Sequence, residues 1–171
     1  MSTFDATTAE CHVFTFKDGL LSKIAHDLRV KVERLEVRVE GGRVEATFDP
    51  KSLRVVCARK DGHDVHGTLS SGDRSKIESN IQKDVLETSR HPEVRFSGTS
   101  EVDGESVTVT GQLTLHGRTR SITIRGRREG ARWVGQTRLH QPDFGITPYS
   151  AMLGTLKIRP DVEIEIAVPA G

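Results

Sequence analysis

Apolar and polar residues alternate along most of this chain, most clearly toward the C-terminus. Leu156, Ile158, Val162, Ile164, Ile166 and Val168 fall on one face, and Thr155, Lys157, Arg159, Asp161, Glu163 and Glu165 on the other. Successive side chains of a strand point to opposite faces, so this pattern predicts strands with one dry side and one wet side. The same reasoning turns Val107, Val109, Leu113 and Leu115 inward, and groups Val44, Ala46 and Phe48, as well as Leu28, Val30 and Val32, on inner faces. From Leu35, Val37 and Val39 the apolar phase shifts from even to odd positions, which predicts a bulge or tight bend near Glu33–Arg34.

Turn signals separate these runs. Gly41–Gly42 suits a two-residue hairpin, because glycine tolerates positive φ, and Asp103–Gly104 and Glu129–Gly130 repeat the signal. The connections are short and therefore favour antiparallel neighbours. One segment departs from the rhythm. Between about 73 and 88, Ile77, Ile81, Val85 and Leu86 are spaced as one helical face, Ser75 and Glu78 have the spacing of a capping box, and Pro92 bars continuation. No repeat, low-complexity tract or linker interrupts the chain, so residues 1–171 read as one domain, all-β, with one amphipathic helix.

Eight or more antiparallel strands with a common apolar face can close into a barrel, which removes the exposed edges. An eight-stranded barrel is either filled by its own side chains or has room for one small ligand. Aromatic residues make up 5% of the chain, and glycines at Gly98, Gly111 and Gly135 lie on strands, which favours a hollow interior. Apolar positions on the inward faces are then the candidate ligand contacts: Phe14, Phe16, Val30, Val37, Phe48, Phe96, Val109, Leu113, Leu115, Phe144, Met152, Leu156 and Ile158. Met152 offers an adaptable thioether contact. His116, before Gly117, is either a polar contact for a ligand head group or a hydrogen-bonded turn residue, and His26 poses the same choice.

Composition narrows the function classes. Lys and Arg number 25 against 24 Asp and Glu, so a net charge of +1 gives no global attraction to nucleic acid. Seven arginines gather between Arg118 and Arg138, without the interleaved aromatics of nucleic-acid platforms, and read as a solvated hairpin. The start, MSTFDATTAE, has neither a basic segment nor an apolar core of a secretory leader. No stretch is apolar enough for an integral membrane segment. The expectation is a cytoplasmic protein, or a periplasmic one if a leader has been removed. Cys11 and Cys57 read as reduced, partly buried thiols, with a disulfide left open. His63-Asp64-Val65-His66 is the one histidine cluster, but glycines flank it and it reads as an exposed loop rather than a metal site. No nucleophile elbow, P-loop or dinucleotide fingerprint is present, so neither catalytic residues nor a cofactor are expected.

Four segments resemble the YceI-like family, in order and with its spacing. They are Gly41 to Leu53, His91-Pro92-Glu93-Val94-Arg95-Phe96, Gly111-Gln112-Leu113-Thr114-Leu115-His116-Gly117 and Pro142-Asp143-Phe144-Gly145-Ile146. The opening Trp and Asp-x-x-His-Ser of that family are absent; the corresponding region runs from Phe4 to His12. The resemblance implies an extended eight-stranded antiparallel lipocalin-like barrel with a helix covering one side. It also implies a non-enzymatic protein that binds, stores or carries an isoprenoid, an isoprenoid quinone or another long lipid, and a homodimer. A structural or stress-response module with a filled barrel is the other reading.

Overall fold

The computed structural model describes residues 1–18, 25–151, 154 and 156–171. Twelve strands form one antiparallel sheet. In chain order they are β1 (Ser2–Asp5), β2 (Glu10–Thr15), β3 (Asp27–Val32), β4 (Leu35–Glu40), β5 (Arg43–Phe48), β6 (Leu53–Lys60), β7 (His63–Val65), β8 (Val94–Asp103), β9 (Ser106–Leu115), β10 (Arg118–Glu129), β11 (Arg132–His140) and, after a separate small pair, β14 (Asp161–Pro169). That pair is β12 (Ser150–Ala151) with β13 (Leu156–Lys157). The order across the main sheet is β1-β4-β5-β8-β9-β10-β11-β14-β2-β3-β6-β7.

The expectation of eight strands in a closed barrel is corrected on both counts. The main sheet has twelve strands, and its terminal strands β1 and β7 pair with β4 and β6 but not with each other. The result is a curled half-barrel. Alternation reports which face of a strand is dry, but it does not say where one strand ends. The apolar parity that runs through Leu156 and Ile158 into Val162–Val168 spans two elements, because β13 pairs with β12 while β14 lies between β11 and β2.

The helix occupies the open side. Helix α1 runs over Ser71–Asn80 and continues as a single π turn over Ile81–Val85, rather than spanning 73–88. Its capping box is formed by Ser70 and Asp73, not by Ser75 and Glu78. Asp73 N–H donates to Ser70 Oγ (3.0 Å) and Ser70 N–H to Asp73 Oδ2 (2.9 Å). The stripe Ile77, Ile81, Val85 and Leu86 packs against the core, as its spacing implies. Polar groups fasten the helix to β6 and to the turn that precedes it. Val55 N–H, on β6 beyond the reach of β7, donates to Glu78 Oε2 (2.8 Å). Gln82 Nε2 donates to the Pro50 carbonyl (2.8 Å). A helix side chain thus satisfies a backbone donor that a neighbouring strand would satisfy in a closed barrel.

The predicted bend falls at Glu33–Arg34, where the chain leaves β3 and enters β4. Gly41 and Gly42 both have positive φ (56° and 84°), as a type I′ hairpin requires. In the two later hairpins the glycine opens the loop, at Gly104 and Gly130.

Gly98 and Gly111 correct a second expectation. They stand opposite each other on β8 and β9. A β-carbon on Gly98 would lie 2.2 Å from the Thr110 carbonyl oxygen, and one on Gly111 would lie 2.3 Å from that of Ser97. The Phe96 ring lies over both, with Cζ 2.8 and 2.7 Å from those positions. These two glycines admit a close strand approach and an aromatic cover, not open space. Of the three strand glycines singled out from the sequence, Gly135 is the one that lines the interior.

Candidate ligand-binding site

The concave face of the half-barrel, with α1 across its open side, encloses a cavity of about 900 Å³. Ligand sites run from about 300 to 1,000 Å³, so this one is near the upper end. The strands supply its wall in the alternation read from the sequence. The lining includes Leu28, Val30 and Val32 from β3, Val37 and Val39 from β4, Val44, Ala46 and Phe48 from β5, Val107, Val109, Leu113 and Leu115 from β9, and Val162, Ile164, Ile166 and Val168 from β14. Ile77, Ile81, Val85 and Leu86 close the helix side. Polar side chains also reach the lining along α1: His26, Thr68, Asp73, Lys76, Asn80 and Tyr149, with Asn80 Nδ2 donating to Tyr149 Oη (3.1 Å). Thr15 Oγ1 is buried at the wall and makes no hydrogen bond among the described residues.

Of the candidate contacts, Val30, Val37, Phe48, Phe96, Val109, Leu113, Leu115, Phe144, Leu156 and Ile158 line this cavity. Met152 lies outside the described residues. Phe14, Phe16 and His116 are not in the lining. On β2 the inward residues are Cys11, Val13 and Thr15, the opposite parity to Phe14. Each parity of this strand mixes apolar and polar residues, Glu10, His12 and Phe14 on one and Cys11, Val13 and Thr15 on the other, so the large Phe14 ring marks the outer face as apolar. Phe14 lies beneath the Arg59 guanidinium, 4.7 Å from ring centroid to Cζ, and opposite Arg29 on β3. A ring so placed is covered by a cation and an aliphatic stem rather than by the core.

His116 is a turn residue. It occupies the left-handed region (φ 54°) beside Gly117 (φ 74°) in the β9–β10 hairpin. Its Nδ1 donates to the Phe144 carbonyl (3.1 Å), and its Nε2 lies 3.5 Å from Glu87 Oε1. The His91 ring stands 4.3 Å away. These contacts tie the hairpin to the segment holding Phe144, whose ring is buried against the cavity. His26, by contrast, lies in the lining.

The outer face of β2, β3, β6 and β7 carries a polar cluster built around the His63–His66 segment, and the sequence did not reveal its partners from β2 and β3. His63–Val65 is a short strand, not a loop, and pairs with β6 through a hairpin at Asp61–Gly62. Asp64 accepts from Arg29 Nη1 (2.7 Å) and Arg59 Nε (3.0 Å). Burial alone would raise the Asp64 carboxyl, but the two guanidinium groups hold it below its ordinary value. His12, only 5% exposed, places Nε2 3.3 Å from Arg29 Nη2. Burial, and then the Arg29 charge, lower its pKa, so the ring is neutral at pH 7. Cys11 and Cys57 are both free and buried, Cys11 in the cavity wall and Cys57 outside it. Burial pushes the Cys11 thiol up to about 12.

An open antiparallel half-barrel braced by one helix around a large apolar cavity defines a class of β proteins built around an interior site. Within that class the chain belongs to the YceI-like domain family, whose model matches residues 3–170. A UPF0312 protein of Vibrio campbellii is 31% identical over 123 residues, which is 65% of this chain and 57% of that protein. Three solved structures share the fold. Burkholderia cenocepacia BcnA superposes with a TM-score of 0.66 at 14% identity, covering 98% of this chain and 99% of BcnA. A polyisoprenoid binding domain from Saccharophagus degradans, described as implicated in plant cell wall breakdown, gives 0.63 at 12% identity, covering 97% and 94%. The Campylobacter jejuni YCEI protein gives 0.64 at 15% identity, covering 91% and 90%. No helix among the described residues is long and apolar enough to cross a membrane.

Proposed function

We propose that this protein binds one long apolar molecule in its cavity, an isoprenoid, an isoprenoid quinone or a fatty lipid, and stores or carries it without changing it chemically. The observation that carries this reading is the cavity of about 900 Å³, walled mainly by Val, Ile, Leu and Phe. A barrel filled by its own side chains would leave no such space. The named binding activity of the Saccharophagus domain, which has the same fold, supports the same class of ligand.

The physics asks little of the site. Each methylene taken out of water contributes roughly 0.8 kcal/mol, so ten buried methylenes supply about 8 kcal/mol before the cost of immobilising the chain. Paired backbone in the strands leaves few polar groups to compete for the tail. The polar residues along α1 offer hydrogen bonds to a head group at that side.

The test is mass spectrometry of an organic extract of the purified full-length chain, together with native mass spectrometry. A stoichiometric apolar compound is the expected result. Repeated absence of any such compound, with no uptake of prenyl or fatty-acyl lipids added during refolding, refutes the reading.

A further inference from the structure

The outer face of the sheet, on the far side of the wall from the cavity, carries a second constellation. Strand β7 runs antiparallel to β6, with Ala58 opposite Val65 and Arg59 opposite Asp64. Continuing that register sets His66 across from Cys57. Asp64 and His66 are two residues apart, which places them on one face of an extended chain. Cys57 reaches the same face because the β3–β6 ladder is irregular. Arg29 is paired with Cys57 and Val30 with Val55, leaving Val56 as an extra residue. Such a bulge shifts the parity and re-aims the side chains that follow it.

The outcome is a thiol sulfur, a carboxylate oxygen and an imidazole nitrogen that all lie within 4.8 Å of one another. Cys57 is buried at the floor, while Asp64 and His66 are exposed above it, so an ion would reach the sulfur from solvent. Tetrahedral zinc, with bonds of about 2.0–2.3 Å, needs ligand atoms about 3.3–3.8 Å apart. Side-chain rotation can supply the remaining ångström without moving the strands.

We propose that Cys57, Asp64 and His66 form a binding site for a divalent d-block cation of the zinc type, with water as the fourth ligand. One thiolate, one imidazole and one carboxylate are the borderline donor set that zinc and cobalt(II) accept and that magnesium and calcium do not favour. Arg29 and Arg59 each bond one oxygen of Asp64, and each oxygen keeps a further lone pair. They act as the outer shell that fixes the carboxylate's orientation. Their charge also opposes the cation, so binding is weaker than at a closed four-ligand structural site. On binding, the ion takes the place of the Cys57 thiol proton.

The experiment is titration of the reduced, chelator-treated full-length chain with cobalt(II) chloride, followed by zinc chloride. The expected result is one equivalent of cobalt, a near-ultraviolet thiolate-to-metal band and tetrahedral visible bands, all bleached by zinc. Cys57→Ser abolishes the band, and Cys11→Ser, at the other thiol, retains it. His66→Ala, at an exposed position, weakens binding at least tenfold. No band in the reduced parent chain, or a band that survives Cys57→Ser, overturns the proposal. Neither result bears on the cavity.

Discussion

Replacing Leu115 with tryptophan separates a hollow interior from a packed one. Leu115 lies on β9, half-buried, with its side chain in the cavity wall. If the interior were solid, an indole there would force off-rotamer neighbours and cost about 1–3 kcal/mol or more. With about 900 Å³ of space in front of it, the ring swings into the cavity and stability changes by less than about 1 kcal/mol. The indole then takes room a ligand would use. Displacing three methylenes, at roughly 0.8 kcal/mol each, removes about 2.4 kcal/mol of binding energy, which is about a fiftyfold loss of affinity. The assay pairs urea unfolding, followed by tryptophan fluorescence and circular dichroism, with titration of 11-(dansylamino)undecanoic acid. Loss of more than about 3 kcal/mol of stability with unaltered probe affinity would refute the reasoning, because it would mean that Leu115 is packed core.

Ser70→Ala removes the N-cap of α1 and is expected to lower stability by about 1 kcal/mol in urea titrations, with Ser70→Gly costing only a few tenths. Glu78→Ala strands the buried Val55 N–H and is expected to cost about 1–3 kcal/mol, with faster hydrogen exchange at Val55 than at its β6 neighbours. Gly111→Ala sets a methyl group 2.3 Å from the Ser97 carbonyl and should destabilise by more than about 2 kcal/mol, whereas Gly104→Ala meets no atom within 4 Å and costs only the strain of positive φ. The Cys11 thiol titrates from 9.0 when unfolded and from about 12 when folded. The folded state therefore holds its proton longer, so the stability it contributes is intact below pH 9 and is lost as the pH rises toward 12. Urea titrations across that range should show this decline in the parent chain and a shallower one in Cys11→Ala; equal declines would contradict the assignment.

Most of the wall was legible because burial on one side of a strand leaves a period-two record that needs no tertiary knowledge. β14, β9, β5 and β3 all carry their inner faces in that record, and so does the helical stripe of Ile77, Ile81 and Val85. The record failed where apolar and polar residues mix on both parities, as on β2, where Phe14 shares the outer face with Glu10 and His12 and lies beneath Arg59 and opposite Arg29. It also could not say whether the sheet closes. Closure depends on long-range pairing and on the corner at Glu33–Arg34, where Glu33 N–H donates to the Ser52 carbonyl and Asp49 N–H to that of Arg34. Asp64 and His66 stood out in the sequence, but their approach to Cys57 was illegible for a related reason. The two strands are a hairpin in sequence, but the bulge that turns Cys57 outward leaves no compositional trace. For His116 the neighbouring Gly117 gave the correct signal, a turn in which both residues take positive φ.

A closed barrel has its girth dictated by how many strands it contains and how far they are sheared, and both change only in whole steps. This sheet escapes that arithmetic, because strand pairing does not close it and α1 covers the cavity beside β6, leaning on contacts such as Glu78 to Val55 and Gln82 to Pro50. Sliding or tilting such a brace alters the bore continuously and breaks side-chain contacts rather than a ladder. The width of the cavity can therefore be retuned by substitutions along one short helix, while the woven part of the wall stays as it is.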